Sequence, residues 1–342
     1  MIGECEIFLS TQEHLRSYGK LNLYLDVLDK RADGYHDILT LFQRIEMHDD
    51  IYISENGSAE NTFKVVYEDL IPYKPDLFWD EGNTLFRSLK ALEEVIGQPL
   101  AGYDITLKKR IPPESGLGGA SSDAAELIKY FGSKYELTFE QMFDIAKQIG
   151  ADAPFFFYGN TALGKSRGDV LKPLDPLPSF PVIVCLPDVT FSTSKMYSVI
   201  DSLRFEDWDN VEDVEHVTDF DDDHVEDMIS DPVLDDWEDD DVESWVPEEE
   251  LYRTYDGLKQ GESTLTFNDF EKAAQELELP TYESFVEQFE AIKCDGLILK
   301  GMTGSGSAHY LVFNDSVSPQ TLDEMVKILE QMSVWVRKTN FF

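Results

Sequence analysis

Cysteine, histidine and basic residues are all scarce in this chain. Its three cysteines, Cys5, Cys185 and Cys294, stand far apart with no CxxC spacing, and its six histidines form no HExxH pair. This argues against a disulfide framework or a structural metal centre and favours a reducing compartment. Only 28 Lys and Arg stand against 68 Asp and Glu, a formal charge of −40, so nucleic acid is an unsuitable partner: phosphate backbones are bound through Lys and Arg. No apolar run reaches the ~18 residues of a membrane span. The opening Met1-Ile2-Gly3-Glu4-Cys5-Glu6 is neither a basic signal region nor an Arg-rich transit peptide. The expected location is cytoplasmic, away from membranes, and composition leaves monomer and homodimer equally open.

The charge is unevenly spread. Residues 205–250 contain 23 Asp and Glu and no Lys or Arg, which leaves −17 for the rest. Such blocks of like charge repel one another and read as a mobile acidic insertion, with Trp208, Trp237 and Trp245 as candidate anchors. A length of 342 residues with 42% hydrophobic content suits roughly two domains. The proline-rich stretch 172–181 marks the expected boundary, giving domains 1–178 and 179–342.

Residues 5–10 suggest a short strand, and 20–28 alternate like a half-buried strand with Lys20, Asn22 and Tyr24 on one face. An Asp33-Gly34 turn follows, then an apolar run 38–42 and strands at 51–54, 63–67 and 103–108. Residues 83–96 predict a helix capped by Asn83, and 138–149 one stopped by Gly150. Further on, 181–186 and 308–313 read as strands, while helices are expected around 270–277, 282–292 and 321–332.

The most informative stretch is Ser115-Gly116-Leu117-Gly118-Gly119-Ala120-Ser121-Ser122, which follows a strand and precedes a helix expected to start at Ser121-Ser122. Glycines let backbone N–H groups approach an anion, and the helix start adds unpaired N–H groups and the positive end of its dipole. A phosphate is the simplest ligand; a serine-capped turn is the alternative. A second stretch, Gly159-Asn160-Thr161-Ala162-Leu163-Gly164-Lys165-Ser166, fits G-x-x-x-x-G-K-[ST] letter for letter behind a possible strand at 154–158. Gly168, Pro173 and Pro176 stand where its obligatory helix would run, so it reads as a decoy. Asp152 lies between a helix end and an apolar run, where it suits a turn cap or a proton acceptor. Lys20 suits a solvated strand end or its charge partner. Tyr35 and His36 after the turn can present an aromatic face and a hydrogen-bonding ring.

The pattern Lys108-x-Arg110-Ile111-Pro112-x-x-x-Gly116-Leu117-Gly118-Gly119-x-Ser121-Ser122 resembles the ATP-binding loop of the GHMP kinases. Lys20-Leu21-Asn22-Leu23-x-Leu25 with Arg31-x-Asp33-Gly34-Tyr35-His36, and Gly150-Ala151-Asp152-Ala153-Pro154, are similar to the branch of that family acting on a cytidine diphosphate-linked methylerythritol (CDP-methylerythritol). The resemblance implies an α+β fold of two domains, an ATP-binding α/β domain and a ferredoxin-like one. It also implies phosphorylation of the 2-hydroxyl of CDP-methylerythritol by ATP with Mg²⁺. Lys20 and Asp152 would then be the catalytic pair, and Pro112, Gly116, Leu117, Gly118, Gly119, Ser121 and Ser122 the ATP loop. Asn22, Tyr35, His36, Thr303 and Gly304 would meet the substrate, with Tyr35 and His36 at the cytosine. Mg²⁺ would be held mainly by ATP, with the hydroxyl of Ser121 or Ser122 as candidate protein ligand. Asn268-Asp269 matches a further family segment without an evident role. The chain departs from the family at Tyr18-Gly19, where Pro-Ala is usual, at Ser166-Arg167-Gly168-Asp169, and in the acidic insertion. A kinase for homoserine or mevalonate, and a catalytically silent nucleotide-binding or interaction protein, remain the alternatives.

Overall fold

The computed structural model describes residues 12–209 and 246–342. The strand expected at 5–10, Trp237, Trp245 and nearly all of the acidic stretch lie outside them, and the side chain of Trp208 is likewise undescribed.

Two sheets organise the chain. In the first, β1 (Glu13–Lys30) runs antiparallel along one edge of β2 (His36–Glu55). On the other edge of β2, β4 (Tyr103–Lys109) pairs with residues 50–55 and β5 (Thr161–Lys165) with residues 40–43. β3 (Thr62–Tyr67) and β6 (Val170–Pro173) close the two ends. The second sheet has the order β10-β7-β9-β8, all antiparallel, from β7 (Pro181–Leu186), β8 (Leu297–Met302), β9 (His309–Phe313) and β10 (Trp335–Asn340). With helices between β7 and β8 and between β9 and β10, this is the β-α-β-β-α-β ferredoxin-like arrangement.

Helices α1 (Thr84–Ile96), α2 (Gly119–Lys134) and α3 (Phe139–Ile149) pack with residues of β2 and β4 in one core. Local chemistry sets their ends: the side chain of Asn83 accepts from the N–H of Leu85, and Thr138 with Gln141 forms a capping box. α4 (Thr193–Asp209), α6 (Asp269–Gln275), α7 (Pro280–Glu290) and α8 (Pro319–Met332) cover one face of the second sheet; α5 (Val246–Lys259) joins the core between the sheets. β7 shows the division: Val182, Val184 and Leu186 point into that inter-sheet core, Ile183 and Cys185 into the helical one. Each such aliphatic side chain contributes about 1.5–3 kcal/mol by leaving water. Burial pushes the Cys185 thiol up to about 12, which leaves it a packing residue.

Several expectations change. Residues 20–25 are not a half-buried strand, because Lys20, Asn22 and Tyr24 are buried as well as Leu21 and Leu23, which face the second sheet. The runs 38–42 and 51–54 are one strand of 20 residues, continuous through His48, Asp49 and Asp50. Residues 153–157 form a 3-10 helix and not a strand, with Pro154 in its first turn. The letters of the second glycine motif form β5 and a turn into β6, so no helix starts there.

His309 on β9 is buried with its ring 4.9 Å from Phe285 and 5.0 Å from Phe289, and burial pushes its pKa down to about 4. A histidine depressed in this way leaves the unfolded state binding more protons between its ordinary value and the folded one. Its contribution is complete above about pH 6.5 and is lost as pH falls toward 4, for a total of about 3 kcal/mol. Urea unfolding at a series of pH values should show this loss, and His309→Phe should flatten that part of the profile.

Candidate active site

β1 changes register between Tyr18 and Lys20 and again between Asn22 and Tyr24, and these slips frame the first charged group of the site. Lys20 is buried, with its backbone N–H donating to the carbonyl of Leu117 at 2.9 Å. Its ammonium stands 3.2 Å from Asp152 Oδ2, donates to Asn22 Oδ1 at 2.5 Å and lies 5.6 Å from the centre of the Phe42 ring. The Asp152 side chain remains one-third exposed (33%) at the end of α3, just before the 3-10 helix. Asn22 is held in turn: Nδ2 donates to Thr40 Oγ1 at 2.7 Å, and its backbone N–H donates to Thr303 Oγ1 at 2.9 Å.

The glycine loop runs directly beside Lys20. Gly118 has φ +71, a left-handed conformation, and a Cβ there would stand 2.8 Å from Lys20 Cγ. Glycine is therefore required twice, by backbone conformation and by space. That turn starts α2 at Gly119, two residues ahead of the expected start, which brings Ser121 and Ser122 into its first turn. On its other side the loop meets the second glycine turn: a Cβ on Gly116 would stand 2.1 Å from the carbonyl oxygen of Thr303. The backbone N–H of Ala308 donates to Ser115, and Asn268 Nδ2 donates to the carbonyls of Met302 and Gly304 at 2.9 and 3.0 Å.

Beneath the loop lies a buried ionic cluster. Lys109 Nζ donates to Asp49 Oδ2 and, at 2.9 Å, to Asp123 Oδ2; Ser17 donates to Asp123 at 2.5 Å. Asp49 Oδ1 also accepts from the backbone N–H of Arg110 and Ile111 at 2.5 and 2.8 Å. Burial, opposed by Lys109 and reinforced by the charge of Asp49, pushes Asp123 up to about 6.

A cleft of about 970 Å³ opens over these groups, and Lys20, Asn22, Tyr35, His36, Gly116, Gly118, Ser121, Asp152 and Gly304 all line it. Five other expected site residues do not. Pro112, Leu117 and Gly119 are buried beneath the loop. Thr303 is buried as the acceptor for Asn22. Ser122, in the first turn of α2, is fully buried, and its hydroxyl has no hydrogen-bond partner among the described residues. Among the described residues no three His, Cys, Asp or Glu side chains converge as a metal site.

At the far end of the cleft Tyr35 is 55% exposed, with the Arg167 guanidinium 5.0 Å from its ring centre. His36 is buried, stacked on Tyr197 at 4.9 Å and bonded through Nε2 to Asp201 Oδ1 at 2.6 Å. Burial, with a contribution from the charge of Asp152, pushes the Tyr197 phenol up to about 12. Sequence reading missed Tyr197 and Asp201. The signal was Met196 and Ile200, spaced as a buried helix face, beside Tyr197 and Asp201 at the same spacing.

The strand-loop-helix loop, the ferredoxin-like second sheet and the shared cleft define a small-molecule kinase of the GHMP type. Residues 83–160 match the family model described as GHMP kinases N terminal domain. The chain is 32% identical to the 4-diphosphocytidyl-2-C-methyl-D-erythritol kinase of Thermotoga maritima, over 89% of this chain and 93% of that protein. Its identity to the enzyme of the same name from Petrotoga mobilis is 31%, over 87% and 98%. Among solved structures, a 4-(cytidine 5'-diphospho)-2C-methyl-D-erythritol kinase aligns over 96% of this chain and 100% of its own, with TM-score 0.67 and 27% identity. The L. major mevalonate kinase, at 14% identity and TM-score 0.62, shares the fold. The chain belongs to the 4-diphosphocytidyl-2-C-methyl-D-erythritol kinase family.

Gly118→Val should abolish binding of a fluorescent ATP analogue. Lys165→Ala, in the decoy motif and paired with Glu248 at the surface, should leave it within about twofold of the parent. Lys109→Met leaves two buried carboxylates without their cation and should cost about 3–5 kcal/mol in urea unfolding.

Proposed function

We propose that this protein transfers the γ-phosphoryl group of ATP to the 2-hydroxyl of 4-diphosphocytidyl-2-C-methyl-D-erythritol, a step in making isoprenoid precursors. The observation that carries the reading is the Lys20–Asp152 pair, 3.2 Å apart, in one cleft with the glycine-started helix and the Tyr35–His36 turn. Phosphoryl transfer needs positioning and charge screening more than covalent chemistry from the protein. Asp152, with its carboxylate open to the cleft, accepts the hydroxyl proton or orients the hydroxyl for attack. Lys20 holds that carboxylate in place and screens the charge that develops on transfer. Asn22 fixes the ammonium of Lys20 from the other side, near the reacting hydroxyl. Gly116, Gly118 and Ser121, with the first N–H groups of α2, receive the phosphates of ATP, and Gly304 closes over them from the second sheet.

Tyr35 and His36 meet the cytosine: one offers an open ring face, the other a fixed ring edge. Mg²⁺ would be held mainly by the phosphates of ATP, with the hydroxyl of Ser121 as candidate protein ligand, and would screen their charge. We take residues 1–178 as the ATP-binding domain and 179–342 as the closing domain.

ADP release measured with CDP-methylerythritol, homoserine and mevalonate should show turnover of the cytidine substrate alone. Turnover of either other alcohol without it overturns the assignment. Asp152→Asn should lower kcat by about 100- to 10,000-fold while ATP still binds; an unchanged kcat removes Asp152 from this role.

A further inference from the structure

The segment Asn268-Asp269-Phe270-Glu271, without an evident role in the sequence, joins the strand of Lys20 to the second glycine turn. Just before it, Thr266 Oγ1 donates to the carbonyl of Leu23 at 2.8 Å, and the N–H of Leu25 donates to the carbonyl of Phe267 at 2.7 Å. Asp269 Oδ2 accepts from the N–H of Val27 at 2.8 Å. The segment is thereby fastened along β1. Asn268 is buried at the start of α6, and its partners dictate the orientation of its amide: Oδ1 accepts from the N–H of Phe270 at 3.1 Å, while Nδ2 donates to the carbonyls of Met302 and Gly304. Capping α6 uses Oδ1 alone; the two donations from Nδ2 serve the turn. Glu271, three residues on, accepts from the N–H of Met302 at 2.6 Å.

The turn held in this way abuts the reacting groups. Gly304 has φ +58, and a Cβ there would stand 3.4 Å from Lys20 Nζ. Gly304 and Ser305 line the cleft, and Asn268 does not. The Gly304–Ser305 peptide is trans, so its carbonyl and its N–H point in opposite directions. Fixing the Gly304 carbonyl on Asn268 therefore turns the N–H of Ser305 away from Asn268. That N–H has no backbone acceptor among the described residues. We propose that Asn268 is a positioning residue for phosphoryl transfer, which through Gly304 aims the N–H of Ser305 at the transferring phosphoryl group. The proposal rests on the reading that the cleft phosphorylates an alcohol beside Lys20 and Asp152. It adds a donor from the second sheet, set by a side chain that touches no substrate. A fixed N–H gains strength as charge builds on the phosphoryl oxygens, so its misplacement falls on kcat more than on binding.

The test is steady-state kinetics of variants that separate capping from positioning. Asn268→Asp keeps an oxygen for the N–H of Phe270, and Asp caps a helix as well as Asn does, but it cannot donate to Met302 or Gly304. It should lower kcat by about 10- to 100-fold, with ATP affinity and KM for the cytidine substrate within about threefold of the parent. A kcat equal to that of the parent reduces Asn268 to a cap and overturns the proposal, as does a loss confined to KM. Should Asn268→Asp not fold, Glu271 decides. Burial pushes its carboxyl up to about 7, which makes a neutral amide a close substitute. Glu271→Gln keeps an oxygen for Met302 and should retain most of kcat, whereas Glu271→Ala should lower it by about tenfold; equal kcat in the two overturns the proposal. In NMR of the parent, a non-hydrolysable ATP analogue should shift the Ser305 amide proton downfield and slow its exchange. An unmoved amide overturns the proposal while the kinase assignment stands. A parent that turns over no cytidine substrate removes the reading on which the proposal rests.

Discussion

Lys109 is buried with its ammonium between the carboxylates of Asp49 and Asp123, and the geometry of the cleft depends on that placement. The three residues come from β4, β2 and the second turn of α2, and Ser17 on β1 joins them through Asp123. Two charges removed from water are costly unless their remaining hydrogen-bonding capacity is met. Here it is met by the N–H groups of Arg110 and Ile111, the residues that lead into the glycine loop. The cluster pins both the entry to the loop and the start of the helix that leaves it. The loop between them has little freedom left.

That rigidity is extended by backbone contact with the second sheet. Gly116 and Thr303 approach so closely that no side chain fits between them. Asn22 links the two halves at the same level, since its backbone bonds Thr303 and its side chain meets Lys20. The cleft is therefore a seam between two sheets whose facing turns are both glycine-rich. The Lys20–Asp152 pair sits on the side of the first sheet, and the second supplies a wall. This division explains why Thr303 is a tie within the wall and not a cleft-lining group.

The far end of the cleft is built differently. Tyr35 and His36 are neighbours, and alternation along the chain sends one outward and the other inward. The outward ring stays open beside Arg167, while the inward ring is clasped by α4. The clasp also makes a helix of the second half of the chain part of a site whose motif lies in the first.

Much of this was legible in the sequence where the cause is local. Asn83 caps its helix through its side chain and α3 stops at Gly150, and Asp33-Gly34 turns the chain, with Gly34 at φ +86. The glycine loop announced itself by its strand and helix, and the decoy betrayed itself by Gly168 and Pro173, which no helix following it could accommodate. The pairing of Lys20 with Asp152 followed from motif order. What sequence could not supply was contact between distant segments. The second sheet decides that β1 is buried on both faces. Lys109 lets β2 run on through Asp49. The packing around α2 buries Ser122 completely. His36 and Asp201, 165 residues apart, meet at 2.6 Å, and no pattern within a few residues of either encodes that distance. Propensity, caps and turns act over one or two helical turns and are written in the chain. Burial and the pairing of charges depend on what the fold brings alongside, and only the tertiary structure decided them.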